Sequence, residues 1–150
     1  MKIFLGMVIA GLVIFVVWFI VSPGFCCSSQ FRLEKKNITI NGHVISVDVV
    51  STPAEQEQGL SGRKSLEKNT GMFFVFSKPE SIGFWMKDMN FSIDMVWLDS
   101  SGKVVTIKEH ATPEGYPEVF YPTIPAQYVI ELPDRDTERL GIEVGQTISL

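Results

Sequence analysis

The longest apolar stretch of the chain runs from Ile3 to Val21 and contains no charged residue. Seventeen of its nineteen residues are apolar, and the other two are glycines. A helix of this length rises roughly 28 Å, which is close to the ~30 Å hydrocarbon core of a bilayer. The pattern predicts one transmembrane helix within residues 1–22, which would contact the lipid bilayer through residues 3–21.

A cleaved signal peptide is the alternative interpretation of this segment. The apolar region of a signal peptide is normally about 7–15 residues long and ends before small residues at the cleavage site. The present run is longer, and the bulky Phe25 follows it closely. These features favour a segment that is retained, either as an anchor or as an uncleaved signal.

Basic residues on both sides of the span bear on its orientation. Lys2 precedes the span, whereas Arg32, Lys35 and Lys36 follow it. This count of positive charges favours a cytoplasmic domain. A two-residue leader, however, normally stays inside while the globular domain that follows is exported. We therefore expect a single-pass, membrane-anchored protein with an extracytoplasmic soluble domain.

Alternating apolar and polar positions begin after a polar segment that predicts a linker over residues 23–36. Two such stretches, Ile38–Ile40 and His43–Val50, flank the dipeptide Asn41-Gly42. Both turn residues tolerate positive φ, which makes Asn-Gly typical of a two-residue hairpin turn. The pattern predicts a β-hairpin at the start of a single globular domain over residues 37–150.

Capping residues indicate a short helix directly after this hairpin. Thr52 is a suitable N-cap, Pro53 fits the first helical position, and Glu55 completes a T-x-x-E capping box. Gly59 can end the helix. Because a helix this short is marginal alone, tertiary contacts must hold it.

Further apolar segments, each too short for a typical helix, predict the remaining strands. These strands are Gly71–Phe76, Phe84–Lys87, Ile93–Leu98, Lys103–Lys108, Gln127–Leu132 and Gln146–Leu150. Lys78-Pro79-Glu80 is expected to end the first strand, and residues 88–92 to form the turn between the second and the third. With a second short helix around residues 136–140, the pattern indicates a mainly β, β-rich α+β fold. We expect a compact antiparallel domain that resembles a sandwich or barrel.

Residues 111–125 contain four prolines and are expected to form an irregular loop. Its aromatic residues, which include Tyr116 and Tyr121, supply more apolar surface than disordered segments carry. We therefore predict an ordered loop over one edge or mouth of the sheet, close to Trp85 or Arg63. Its aromatic side chains would either form a wall of a site or cap the core.

The charge balance narrows the range of functions. After the apolar segment the chain has twelve basic and seventeen acidic residues. This argues against nucleic acid as a partner, because phosphate contacts need clustered Lys and Arg. The cysteines, Cys26 and Cys27, are adjacent, and the sequence has no Cys/His ligand set, phosphate-binding glycine loop or nucleophile elbow. We therefore expect neither a cofactor nor a metal ion.

Seven short motifs occur in order along the soluble part of the chain. They are Gly59-Leu60-Ser61-Gly62-Arg63, Gly71-Met72-Phe73-Phe74-Val75-Phe76, Phe84-Trp85-Met86-Lys87, Ile93-Asp94, Leu98-Asp99, Tyr128-Val129-Ile130-Glu131-Leu132 and Leu140-Gly141-Ile142. In this order they resemble the domain of unknown function family 192 (DUF192), roughly over residues 38–150. The resemblance implies a compact, mainly β domain, frequently behind a signal or membrane segment, and it implies no reaction. Many members have a cysteine pair in the proline-rich loop, which this chain lacks.

Asp94 is the one charged residue of the predicted strand Ile93–Leu98. Alternate residues of a strand point to opposite faces, and both faces here are apolar, so the carboxylate is expected to be buried. A buried carboxylate needs a partner, and Lys87, across the predicted hairpin, and Arg63 are the cationic candidates. The three residues would form either a recognition or acid–base cluster or a structural ion pair.

Methionine and tryptophan side chains around Trp85 raise the alternative of a Cu(I) site, because thioethers suit soft metal ions. Methionine also fills irregular gaps in cores, and core packing is the favoured interpretation. His110 follows Glu109 and could act as a base or a ligand. A solvated loop histidine is the favoured interpretation of His110.

A membrane-anchored, non-enzymatic binding module is the function that these residues favour. A small anionic or polar ligand would bind near Arg63, Lys87 and Asp94, where two cations flank one carboxylate. The other candidate binding residues are Trp85, Glu109, Tyr116 and Tyr121. The first alternative is a hydrolase that uses Asp94 or Glu109 with Lys87. The second is a structural or assembly protein without a pocket.

Overall fold

A computed structural model describes residues 33–150 of the chain. The predicted transmembrane segment and both cysteines lie outside the described residues. Between residues 33 and 150, no helix is long and apolar enough to cross a membrane.

The described domain consists mainly of β-strands with two short α-helices. In chain order the elements are β1 (Glu34–Ile40), β2 (His43–Val50), α1 (Pro53–Gln58), β3 (Thr70–Glu80), β4 (Phe84–Trp85), β5 (Ile93–Leu98), β6 (Val104–Ala111), β7 (Val119–Phe120), β8 (Ala126–Pro133) and α2 (Asp136–Leu140). A short 3-10 turn, Pro113–Gly115, lies between β6 and β7. β1 begins inside the range predicted for the linker.

Six strands form one sheet in the order β1-β2-β3-β8-β5-β6, and β4 pairs with β7 in a small second sheet. β2 and β3 are parallel, whereas the other paired strands are antiparallel. The expectation of a wholly antiparallel domain was therefore wrong. α1 lies in the connection from β2 to β3, and parallel neighbours need such a crossover. The sheet is mixed and does not close into a barrel.

The hairpin and the first helix have the predicted local geometry. Asn41 and Gly42 both have positive φ, at 48° and 81°, in the turn between β1 and β2. Thr52 and Glu55 form both hydrogen bonds of the capping box at the start of α1, and Gly59 is the C-cap residue. α2 likewise ends before Gly141, as predicted.

The two faces of the large sheet bury separate apolar clusters, because successive residues of each strand alternate between them. One cluster contains Phe73 and Ile130 and includes Leu140 of α2. The other contains the adjacent positions Phe74 and Val129, together with residues of β5 and Leu60 after α1. The second face therefore carries α1 and the small sheet.

Two predicted strand boundaries were wrong. β3 continues through Lys78-Pro79-Glu80, because the pairing with β8 shifts register between Val75 and Glu80. Proline is tolerated at such an irregularity, where it removes no regular ladder hydrogen bond. At the C-terminus, the predicted strand over residues 146–150 is represented only by isolated bridges, such as Thr39 with Ser149.

The predicted hairpin between Phe84–Lys87 and β5 is also absent. β4 spans only Phe84–Trp85 and pairs with β7, with Trp85 opposite Val119. β5 cannot accept β4 as a neighbour because β8 and β6 already occupy its two edges. Lys87 is thus not across a hairpin from Asp94.

Candidate functional site

The turn after α1 is joined by hydrogen bonds to the segment after β4. The Ser61 hydroxyl donates to the carbonyl oxygen of Lys87 at 3.0 Å, and the Gly62 N–H donates to that of Asp88 at 2.9 Å. The Asn90 side-chain amide donates to the Arg63 carbonyl oxygen at 2.9 Å. These contacts hold together two of the sequence motifs and form the wall of a groove.

The groove has an outer and an inner cleft that share lining residues. The outer cleft, of about 480 Å³, is lined by Ala54, Glu57, Gln58, Ser61, Gly62, Trp85, Lys87 and Asp88. The inner cleft, of about 250 Å³, is lined by Gln56, Glu57, Gln58, Gly59, Leu60, Ser61, Phe74, Phe76, Ile82, Gly83, Phe84, Trp85, Met89 and Glu131. Most residues that line the outer cleft are polar or charged, whereas the inner cleft is lined by several aromatic and aliphatic side chains.

Glu131 is the most buried polar residue of the inner cleft. It lies in β8 between Met72 of β3 and Met95 of β5, and it is 5% exposed. Its Oε2 atom is buried and has no hydrogen-bond partner. Burial raises the pKa of Glu131 to about 8, although the positive charge of Arg63 lowers it in part. A carboxyl group in a cleft that has no hydrogen-bond partner and a raised pKa is a candidate for a functional site.

Glu131 was not among the binding residues that the sequence predicted, although it belongs to one of the seven family motifs. A signal for its importance was present. It is the one charged residue in the apolar run Gln127–Leu132, the same pattern that identified Asp94. β8 pairs with β3 along one edge and with β5 along the other, so it is an interior strand of the sheet, and this pairing is not readable from sequence.

Aromatic rings form the wall of the inner cleft. The Phe84 ring makes edge contacts with Phe74, at 4.9 Å between ring centroids, and with Trp97, at 5.8 Å. The Trp97 indole N–H donates to the Ile82 carbonyl oxygen at 3.3 Å. Trp85, in contrast, is 52% exposed and lines both clefts. The buried rings are fixed by packing, whereas Trp85 stands at the opening.

Arg63 lies outside this groove and already has an anionic partner. Its guanidinium donates to Asp48 Oδ2 at 2.9 Å, and Lys35 Nζ lies 3.4 Å from the other oxygen of the same carboxylate. The three residues line a separate cleft of about 250 Å³ near the start of β3. Lys87 lines the outer cleft and forms no salt bridge with another residue of the described domain.

Asp94 is fully buried, as predicted, but its partners are not cations. The backbone N–H groups of His110 and Thr137 each donate to its carboxylate at 2.9 Å, and the Thr137 hydroxyl donates at 2.6 Å. Three donors satisfy the charge without an ion pair. The predicted cluster of Arg63, Lys87 and Asp94 is therefore wrong, since the three side chains belong to different clefts.

A further cleft of about 290 Å³ surrounds Asp94 and includes the predicted candidate Glu109. The Thr137 hydroxyl lies 3.4 Å from Glu109 Oε1, and His110 Nδ1 lies 2.8 Å from Asp134 Oδ1. His110 is more than half exposed in its side chain. These polar contacts join β6 to α2 and to Asp134, which precedes that helix. Lys87 is not among the residues that line this cleft.

The proline-rich loop lies beside Trp85, as predicted. β7 pairs with β4 there, and the other end of the loop is held where the Thr123 N–H donates to Thr106 Oγ1 at 2.8 Å. Tyr116 and Tyr121 are 48% and 59% exposed. Neither tyrosine lines the inner or the outer cleft.

The structure bears on the metal interpretations only through residues 33–150. In this range no group of three or more His, Cys, Asp or Glu side chains could hold a metal ion. Met72, Met86 and Met95 are buried in the apolar cluster on the second face of the sheet. They pack in the core, which is the interpretation that the sequence favoured over Cu(I) binding.

Comparison with known proteins gives a family match and structural neighbours. The profile of the family DUF192, described as "Uncharacterized ACR, COG1430", matches residues 36–150. No curated protein matches the chain.

Two solved structures are similar to the chain over most of its length. The first, from Sinorhizobium meliloti 1021, is described as "a putative transcription regulator"; it is 28% identical, with a TM-score of 0.72, and the match covers 78% of this chain and 94% of that one. The second, a protein of unknown function from Novosphingobium aromaticivorans DSM 12444, is 28% identical with a TM-score of 0.73. That match covers 79% of this chain and 86% of the other.

Proposed function

The chain belongs to the DUF192 family, and from this premise we propose that its folded domain is a non-enzymatic module that binds a small molecule. The binding site is the groove between α1 and the segment Phe84–Asn90. Glu57, Gln58, Ser61 and Trp85 line both of its clefts and would contact a ligand that spans them.

The observation that carries this proposal is the inner cleft with its single buried carboxyl group. Small-molecule sites are typically concave and mostly apolar, with few polar groups that orient the ligand. The inner cleft combines aromatic walls with one buried oxygen, Glu131 Oε2, that has no protein partner. A buried polar atom without a partner lowers the free energy of unfolding by about 1–3 kcal/mol, so Glu131 Oε2 destabilises the ligand-free domain.

The hydrolase interpretation has less support than the binding module. The Asp94 carboxylate already accepts three hydrogen bonds from His110 and Thr137, which leaves it poorly placed to remove a proton. Lys87, the other member of the expected pair, lines the outer cleft instead. A carboxylate and lysine pair for hydrolysis would need both groups at one reacting atom.

A fragment-binding experiment tests the proposed function. Saturation-transfer NMR of the full-length protein with a set of small aromatic fragments should detect binding. Glu57→Trp places a large side chain on a residue that lines both clefts, and should abolish most of the signal. Val144→Trp adds the same group at an exposed residue outside these clefts and is the matched control. Fragments that bind the wild-type protein and Glu57→Trp equally would contradict the proposal, as would no binding at all.

Membrane attachment is a further part of the proposal, and it depends on the sequence of residues 3–21. An uncharged, nineteen-residue apolar run supports a retained, single-pass anchor with an extracytoplasmic binding domain. The protein should remain in the membrane pellet after alkaline extraction and keep its N-terminal residues by mass spectrometry. A mature N-terminus after Val21, or full release by alkali, would contradict the anchor.

A further inference from the structure

We propose that the inner cleft binds a small organic cation, an amine or ammonium ion, whose charged group pairs with Glu131. This inference rests on the proposed function and names the ligand class of the same groove. It replaces the anionic ligand expected from the sequence, since Arg63 pairs with Asp48 and leaves no free cationic pair in the groove.

The unpartnered carboxyl oxygen is the first argument for a cation. Glu131 Oε2 is buried, lacks a hydrogen-bond partner and belongs to a residue that lines the inner cleft. In its ionised form this carboxylate only accepts hydrogen bonds, so a ligand that pairs with the ionised form supplies donors or a positive charge. Charge-assisted bonds to a carboxylate are roughly twice as strong as neutral ones.

The walls of the cleft supply the second argument. Phe74, Phe76, Phe84 and Trp85 line the inner cleft together with Glu131. The faces of aromatic rings carry partial negative charge and attract ammonium groups within about 6 Å. Cages that combine aromatic rings with an acidic group are suited to ammonium ions, because the rings stabilise the charge after water is removed.

The size and the charge of the groove limit the ligand further. At about 250 Å³ the inner cleft is smaller than the roughly 300–1,000 Å³ typical of sites for drug-sized molecules. It therefore fits a ligand of a few heavy atoms. Glu57 lines both clefts and Asp88 lines the outer one, so two carboxylates and the single cation Lys87 surround the opening. A cation is thus attracted towards the groove.

Proton release should accompany binding. Without ligand, burial raises the pKa of Glu131 to about 8, so the carboxyl group holds a proton at neutral pH. A bound cation favours the ionised form, and the proton is released to solvent. The neighbours of Glu131 in β3 and β5 are the uncharged Met72 and Met95. The charged groups of the other packed elements are Arg63 and, at the cleft, Glu57 of α1.

Calorimetric titration of the full-length protein with choline and with 3,3-dimethylbutan-1-ol tests this inference. The two probes have the same shape, but the second has a neutral carbon in place of the ammonium nitrogen. Choline affinity should rise about tenfold per pH unit from pH 6 to 8 and level off above it. At pH 8 choline should bind at least about tenfold more tightly than the alcohol, whose affinity should not depend on pH.

Glu131→Gln removes the charge and keeps the shape of the side chain. In this variant the preference for choline and the pH dependence should both disappear, whereas Glu118→Gln, an exposed residue outside the groove, should change neither. If the alcohol binds as tightly as choline and Glu57→Trp abolishes both, the cation inference is wrong and the proposed function stands. If neither probe binds, the inference is also wrong, and the fragment experiment decides separately on the groove.

Discussion

Replacing Glu131 by glutamine should stabilise the domain relative to the wild type, and this difference in the free energy of unfolding should grow as the pH rises. In the folded protein, burial raises the pKa of this carboxyl group from 4.5 to about 8. Between these values the folded state holds a proton that the unfolded chain has released. The wild-type free energy of unfolding therefore contains a contribution that is fully present below pH 4.5. It falls by about 1.4 kcal/mol for each pH unit up to about 8.

The magnitude follows from the width of this window. A separation of about 3.5 units between 4.5 and 8 corresponds to about 5 kcal/mol in total. Glutamine cannot ionise, so near pH 4.5 the free energy of unfolding of Glu131→Gln should equal that of the wild type. It should exceed that of the wild type by about 5 kcal/mol at pH 8 and above.

Denaturant titrations of both full-length proteins between pH 5 and pH 9 measure this difference. The difference between the two proteins removes the contribution of all other titrating groups, because both contain them. A difference that stays constant across this range would show that Glu131 ionises normally in the folded state. The description of a buried, unpartnered carboxyl group at the inner cleft would then be wrong.

Three further substitutions test other parts of the structure. Asp94→Ala should destabilise the domain by about 3 kcal/mol or more in denaturant titrations, because it leaves the buried N–H donors of His110 and Thr137 without an acceptor. Asp94→Asn should destabilise it less. If neither variant changes the free energy of unfolding, Asp94 is exposed. Arg63→Gln should raise the pKa of Glu131 above about 8, since the charge of Arg63 lowers it; carbon-13 NMR titration of the carboxyl group measures this, and an unchanged pKa would contradict it. Thr52→Ala should cost about 1 kcal/mol through loss of the capping box, whereas serine at this position should retain most of the stability; equal losses for the two variants would show that the side-chain cap is unimportant.

Local signals in the sequence predicted the local structure well. The Asn-Gly turn, the capping box at Thr52 and the burial of Asp94 are confirmed because each depends on neighbouring residues or on alternation within one strand. The mainly β composition with two short helices follows from the same patterns. These interactions act over a few residues, so the order of residue types is sufficient to identify them.

The candidate site depended on strand pairing, and here the sequence interpretation was wrong. Consecutive strands often pair, which suggested that Lys87 faces Asp94 across a hairpin. β8 instead inserts between β3 and β5, and it places Glu131 at the inner cleft. The order of strands is set by long-range packing, and no pattern within a single strand reveals it. Asp94 therefore obtained its partners from β6 and α2 rather than from the predicted neighbour.

The location of ligand binding is the central claim, and chemical-shift mapping tests it most directly. Isotope-labelled full-length protein would be titrated with a fragment that binds in the saturation-transfer experiment. We predict the largest changes at the amides of Gly59 and Ser61 and at the indole N–H of Trp85, which line the inner cleft. Changes centred on His110 and Thr137, beside Asp94, would place the binding site in the other cleft and contradict the account.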